Sequence, residues 1–423
     1  MWESRRDETD ICCYLIQIDG DIGRNDQVPC CLIFSKVNRT KSGAAAFRPS
    51  SSPTHQSRAS SVRLRPQSSN TGSLPFNRPE DPKVMDSLPL PLPLIPMAQP
   101  NLWESTLQIS SFISIENHNI HLQAAGPPRE AGKPVVIIIQ GLAQTAASWA
   151  AVARLLSPRI RVFRYDRSGF GKSETAPYRP TSTNIARELD LLLKAAGVGG
   201  PYILIAHSWG GILAREFIAM SNETVVGCVF VEANQEHTLE RLDWRLMADW
   251  VREAQINVVN VARLEGDHQM TEEEWNQYVE DIPGPGHRQA EAESYEYAPS
   301  FEILAGKEQL HMDPPFMGNF PVAILKGQNG RELNKLYDAV LEIGYGTQAQ
   351  RAWFRAWLDT FDDQDRALQA ELISLSEVYQ FAQATLSGHN VHLTEPELVV
   401  EKVIWVIDQY RALRALTDII HGD

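Results

Sequence analysis

Cysteine is scarce in this chain and poorly placed for cross-linking or metal binding. Of 423 residues only Cys12, Cys13, Cys30, Cys31 and Cys228 are cysteine. The first four form two adjacent doublets with no His or Asp spacing around them, a poor frame for tetrahedral zinc. Cys228 stands alone in an apolar run and reads as a small buried side chain. The pattern does not argue for a disulfide-rich secreted protein. Long apolar runs are also missing: residues 88–97 are interrupted by Pro89, Pro91, Pro93 and Pro96 and are too short to span a bilayer, so no stable membrane insertion is expected. Between Gln27 and Pro79 there is no Asp or Glu, while eight Lys and Arg residues lie among serines and prolines. Such a stretch has little apolar surface to offset its ordering entropy. Over the whole chain the balance reverses to a net charge of -14, which repels a phosphate backbone and argues against a nucleic-acid partner. No Gly-rich nucleotide fingerprint and no solenoid repeat occurs, and no cofactor or metal is expected.

What is present is a long globular pattern after an atypical beginning. Residues 1–106 are expected to be a disordered or extended, dispensable segment, with Met85 or Met97 as possible natural starts. Glu3, Asp7, Glu8 and Asp10 spoil an organellar presequence and no secretory signal is evident, so a cytoplasmic location is expected. Order should begin near Leu107 with a hairpin of residues 112–115 and 120–123. Residues 134–140, with five consecutive Val and Ile, read as a strand covered on both faces. Helix at 148–156, strand at 161–165, helix at 182–196, strand at 202–206, helix at 210–220 and strand at 225–231 follow. This alternation predicts an α/β fold with a mostly parallel central sheet and ligand chemistry at the carboxyl ends of its strands. From 237 to 319 the chain turns acidic and aromatic, with helices predicted at 238–259 and 271–279, and reads as an inserted helical cap. A strand at 321–326, helices at 332–341 and 347–358, a strand at 378–382 and a helix at 396–407 complete it. The core thus falls into residues 107–236 and 320–423 around the cap.

Three short segments carry chemistry. Ala206-His207-Ser208-Trp209-Gly210-Gly211 joins a strand to a small-residue helix, a turn that lifts the Ser208 hydroxyl above the sheet. Gln140-Gly141-Leu142-Ala143 ends another strand, where the N–H groups of Leu142 and Trp209 are candidates for an oxyanion hole. Ser387-Gly388-His389, after the last strand, offers the general base. His389 is preferred to His392, which reads as a packing residue, and to His207, which leaves the turn in another direction.

From about Leu107 onward the chain resembles the α/β-hydrolase superfamily. The matching segments are Gln140-Gly141, Tyr165-Asp166-Arg167-Ser168-Gly169-Phe170-Gly171-Lys172-Ser173, the elbow at Ser208, and Ser387-Gly388-His389 followed by Glu395-Pro396-Glu397. The resemblance implies loop-bracing roles for Asp166 and Arg167. It falters at the third triad member, because the strand at 322–326 continues into Gly327-Gln328-Asn329 without a carboxylate. Glu232, 24 residues beyond Ser208 at the end of a neighbouring strand, offers another solution. That placement resembles the fungal lactonases that open the macrolactone of zearalenone. Glu332, Asp338 and Glu236 are the alternative acids.

A serine nucleophile favours acyl transfer, whereas dehalogenases and epoxide hydrolases of this architecture use Asp there. The expected function is therefore hydrolysis of a small hydrophobic carboxylic ester or lactone through an acyl-enzyme, with Trp209 and the aromatic insertion suggesting an apolar pocket. A proline-releasing peptidase or amidase, and a noncatalytic ligand-binding member of the fold, are the competing readings. Nothing in the sequence sets the oligomeric state.

Overall fold

A computed structural model describes residues 100–221, 225–284 and 286–421. The expectations for residues 1–99, including the alternative starts, lie outside the described residues. Order begins earlier than Leu107. A short helix, Leu102–Ser105, is capped by the Asn101 side chain and buries Trp103. Asn101 also donates to the carbonyls of Ala196 and Gly197 at 2.9 and 2.8 Å, which ties this helix to the domain.

Eight strands form one sheet: β1 (Gln108–Ile115), β2 (His118–Ala125), β3 (Val135–Ile139), β4 (Val162–Tyr165), β5 (Tyr202–His207), β6 (Val225–Val231), β7 (Val322–Lys326) and β8 (Tyr379–Gln383). Their spatial order is β1-β2-β4-β3-β5-β6-β7-β8. β2 pairs antiparallel with β1 and β4, and the remaining neighbours are parallel. Because side chains alternate across a strand, β3 divides its five residues between two cores. Val135, Ile137 and Ile139 face helices Ser182–Ala195 and Gly210–Met220 through Leu189, Leu192 and Phe217. Val136 and Ile138 face helices Ala150–Leu156 and Pro396–His421 through Val152, Leu156, Val399 and Val403. The chain leaves β3 toward β4 and returns to β5 on its other side, opening a crevice at the carboxyl ends of β3 and β5.

Among the described residues six α-helices lie between β6 and β7, of which the longest is Arg288–Ala305. Sequence periodicity missed that helix because Pro299 interrupts it, and proline removes a backbone donor inside a helix. Tyr297, Phe301 and Leu304 bury it against the sheet-facing core and hold it in place. The helices after β7 also run differently from expectation. Thr347 and Gln350 form a capping box that starts a helix of 24 residues, Gln348–Glu371. Together with Asn329–Glu342 it packs Leu336, Tyr337, Val340, Phe354 and Leu358 on Met247, Trp250 and Val251 of the insertion. The cover over the sheet is therefore built from two separate stretches of chain.

Gly227 in β6 lies against the last helix, where an added Cβ falls 2.3 Å from Val406 Cγ1. Gly227→Ala is expected to lower unfolding free energy by about 1–3 kcal/mol in urea titration. Adding Val406→Ala should recover part of that loss, a non-additivity that only direct contact produces.

Candidate active site

Three strand ends meet above the sheet, and each places a non-glycine residue in the left-handed region: Ala143 after β3 (φ 55°), Ser208 after β5 (φ 53°) and Glu232 after β6 (φ 46°). Such conformations cost of order 1–3 kcal/mol each and persist where surrounding bonds enforce them. At Ser208 the enforcement is clear. Its N–H donates to Val231 O at 3.2 Å, while its carbonyl accepts from Gly211 N at 2.9 Å and Asn234 N at 2.8 Å. The following glycines are required by close approach, since a Cβ at Gly210 would sit 2.3 Å from Ile139 O and one at Gly211 2.7 Å from Asn234 O. Ala206, where the family pattern has glycine, is fully buried in the sheet core.

The loop after β3 is held from behind by Arg167. Its guanidinium donates to the carbonyls of Gln140 (3.1 Å) and Gly141 (2.7 Å) and forms a two-point pair with buried Glu293 of helix Arg288–Ala305 at 2.7 and 2.8 Å. Glu293 also accepts from Ala143 N, and Gln144 Oε1 accepts from Gly141 N, both at 2.9 Å. Gln140 is fully buried and its side chain donates to Tyr165 O at 2.6 Å, a bracing contact. The N–H groups flanking Leu142 are thus committed. Those of Leu142 and Trp209 donate to no protein acceptor among the described residues. The Trp209 side chain does not line the pocket. It is fully buried and donates to Ser300 Oγ at 2.9 Å, so its indole packs the elbow helix under the cap, contrary to the expectation from its position beside Ser208.

His389 sits on a loop clamped by carboxylates. Glu332 accepts from the N–H groups of Gly388 and His389, both at 3.1 Å, and Glu395 accepts from those of Leu386 and Ser387 at 3.0 and 2.7 Å. Burial raises the Glu332 pKa against the pull of the His389 N–H. The His389 Nδ1 lies 3.4 Å from Oε2 of Glu232, which is 2% exposed. Glu232 further accepts from Gly327 N and, at 2.8 Å, from Asn329 Nδ2. With Nδ1–H directed at the carboxylate, the His389 Nε2 lone pair is left for a proton from a nucleophile. Ser208 and His389 line the same cavity, and no direct hydrogen bond joins their side chains in this conformation.

The alternative acids fall elsewhere. Asp338 is exposed and does not line the cavity, and Glu236 is paired with buried Arg215. His207 and His392 are both fully buried. His207 Nε2 bonds to the His389 carbonyl at 3.0 Å, and burial, followed by His392 and His389, holds its pKa well below that of free imidazole. His392 stacks on Trp149 at 4.4 Å with neither ring nitrogen hydrogen-bonded, and burial, then His389, lowers it to about 3. Two residues escaped sequence reasoning. Asn329, just after β7, binds Glu232, and Asp365 lines the cavity while paired with buried Lys326 at 2.7 Å. Burial, then Glu232, raises Asp365 to about 6.

The cavity has a volume of about 140 Å³ and is walled mainly by apolar side chains, including Leu242, Val258, Leu264, Leu336 and Phe361. Of the insertion's tryptophans only Trp244 lines it; Trp250 stacks on Phe354 and Trp275 on His268. Among the described residues no cluster of three His, Cys, Asp or Glu side chains is arranged to hold a metal, and no helix is long and apolar enough to cross a membrane.

An elbow serine, a strand-end loop with an unengaged N–H and a histidine on the loop after β8 define a class, and residues 136–402 match it: the chain belongs to the Alpha/beta hydrolase family. It is 33% identical over 329 residues to an AB hydrolase superfamily protein of Gibberella zeae, covering 74% of this chain and 99% of that one. It is 30% identical over 329 residues to the probable transporter efuK of Hormonema carpetanum, covering 76% of this chain and 46% of that longer protein. Among solved structures, a loop variant of the haloalkane dehalogenase DbeA from Bradyrhizobium elkanii superposes with a TM-score of 0.50 at 16% identity over 73% of this chain and 99% of that one, a likeness of fold alone. Family membership supports a hydrolase role.

His392 must stay neutral in the folded state and titrates near 6.5 when unfolded. Its folded pKa is depressed, so the unfolded state binds the extra proton and stability falls as pH drops from about 6.5 toward 3. His392→Phe keeps the stack on Trp149 and removes that proton. Denaturant titrations at pH 7 and pH 4 should show the variant losing less stability than the parent, by up to about 3 kcal/mol.

Proposed function

We propose that the protein is a serine hydrolase that cleaves a small, largely apolar carboxylic ester or lactone through an acyl-Ser208 intermediate. The observation that carries this reading is the pair of unengaged N–H groups of Leu142 and Trp209, on the two strand-end turns that meet at Ser208. Donors held in place before charge develops are what an acyl-transfer oxyanion needs. In the proposed sequence Ser208 Oγ attacks the carbonyl and His389 Nε2 takes its proton. Glu232 stabilises the resulting imidazolium through Nδ1–H, and His389 then protonates the departing alkoxide. A water attacks the acyl-enzyme by the same route and regenerates Ser208.

The solved structures of this fold include a protein described as an epoxide hydrolase and others described as haloalkane dehalogenases. Ser208 supports acyl transfer instead, because alkyl transfer to the enzyme calls for a carboxylate nucleophile. The size of the cavity supports a compact substrate. Its 140 Å³ is close to the roughly 150 Å³ apolar cavity that accepts a benzene ring, which supports a ring-sized group at the site.

Ser208→Ala is expected to remove at least about 10³-fold of kcat/KM on a hydrophobic aryl ester and to abolish labelling by a fluorophosphonate probe. Equal rates in parent and variant would exclude Ser208, and a folded parent that never labels would favour a noncatalytic binding role. Glu232→Gln should lower kcat by about 10²–10⁴-fold with little change in KM. Glu332→Gln, which keeps one acceptor oxygen for the His389 loop, should cost far less; the reverse ranking in steady-state kinetics would reassign the acid.

A further inference from the structure

The cavity lining contains a directed chain of polar groups that the proposed acyl transfer does not use. Trp244 Nε1 bonds to Tyr297 Oη at 3.1 Å, and Tyr297 Oη bonds to Asn234 Oδ1 at 2.9 Å. The direction of each bond is fixed by valence. An indole N–H only donates, so Tyr297 accepts from Trp244 and its own proton must go to Asn234. Tyr297 is 1% exposed, and burial raises its pKa, which keeps that proton in place. Were the Asn234 amide reversed, its NH₂ would meet a hydroxyl already occupied by a donor and the phenolic proton would be stranded in the interior, at a cost of about 1–3 kcal/mol. The chain therefore holds the Asn234 carbonyl inward and its amide nitrogen free.

Asn234 lines the same cavity as Ser208 and His389, and its own backbone N–H donates to the Ser208 carbonyl at 2.8 Å. The residue lines the cavity and is 8% exposed, and its Nδ2 keeps some accessible surface. Among the described residues no protein acceptor is bonded to Nδ2. We infer that Asn234 is a specificity-determining residue whose Nδ2 donates to a second oxygen of the substrate, a carbonyl, ether or hydroxyl oxygen distinct from the one attacked by Ser208. Tyr297 and Trp244 act as positioning residues that set the rotamer of the amide. In an otherwise apolar enclosure a single preoriented donor discriminates strongly, because a substrate without the matching oxygen leaves that donor dry and unpaired. This inference rests on the hydrolase reading for its substrate class, but the donor itself does not depend on turnover.

Two measurements separate the ideas. In the first, nitrophenyl esters with six-atom acyl chains are compared, one all-carbon and others with an ether oxygen or ketone at successive positions. At least one oxygenated ester should exceed the carbon isostere in kcat/KM by about 10-fold or more, chiefly through KM. Asn234→Asp, which keeps the shape and replaces the donor with an acceptor, should bring that ratio to one or below. Tyr297→Phe, which frees the amide to rotate, should reduce it. In the second, Ser208→Ala protein is titrated with a cyclic ketone and its methylene analogue by calorimetry, and Asn234→Asp in that background should erase the preference for the ketone. Ester cleavage with no oxygen preference at any position, or a preference that survives Asn234→Asp, overturns the subsite alone. No cleavage of any ester, with an Asn234-dependent ketone preference intact, overturns the hydrolase reading and leaves the subsite standing.

Discussion

The site depends on one buried ion pair. Arg167 comes from the loop after β4 and Glu293 from the long helix of the insertion, with 1% and 0% of their side-chain surfaces exposed. Burial works against the guanidinium charge, and Glu293 overcomes it, so Arg167 stays protonated with a raised pKa. Removing either partner would strand the other charge in a dry interior, a loss of about 3–5 kcal/mol in comparable pairs. What the pair secures is more local than global stability. Arg167 takes the carbonyls of Gln140 and Gly141, and Glu293 takes the N–H of Ala143. The N–H groups on either side of Leu142 are consumed, while that of Leu142 has no acceptor among the described residues. Core and cover are joined at the place where misalignment would matter most.

A second division of labour concerns carboxylates. Glu232 and Glu332 approach the same histidine from different sides, one at the ring and one at the backbone. Position alone separates their tasks. Glu332 is occupied by two backbone donors and fixes where the loop lies, whereas Glu232 keeps an oxygen toward Nδ1 while Asn329 and Gly327 hold it in place. Asn329 supplies a neutral donor at the start of the helix after β7, while the carboxylate beside the His389 ring comes from the end of the neighbouring strand.

Much of this was legible in the sequence, for identifiable reasons. Buried parallel strands such as Val135–Ile139 announce themselves by unbroken apolar runs, and the tight turn at Ser208 by the small residues its geometry requires. Arg288–Ala305 was hidden because local rules treat Pro299 as a stop, while tertiary burial of Tyr297 and Phe301 outweighs one lost hydrogen bond. The second half of the cover was hidden differently. The helical period of residues 348–371 says which face is apolar but not which neighbour meets it, so Phe354 and Leu358 gave no sign that they would pack on Met247 and Trp250. Asn329 and Asp365 were missed because their significance lies in contacts made across 97 residues to Glu232 and 39 residues to Lys326. The strand-end position of Glu232 was visible; the partners that hold it were not.

The left-handed backbone at Ala143, Ser208 and Glu232 has a consequence for how such a protein evolves. Each of these residues would be relieved by glycine, which adopts the same conformation without steric penalty. At Ser208 and Glu232, relief would delete the side chain proposed to do the chemistry. Selection for heat resistance alone would therefore find a gain at Ser208, whereas at Glu232 the same change would strand the Gly327 and Asn329 donors, and a lineage freed from the proposed function should lose the Ser208 hydroxyl before it loses the fold.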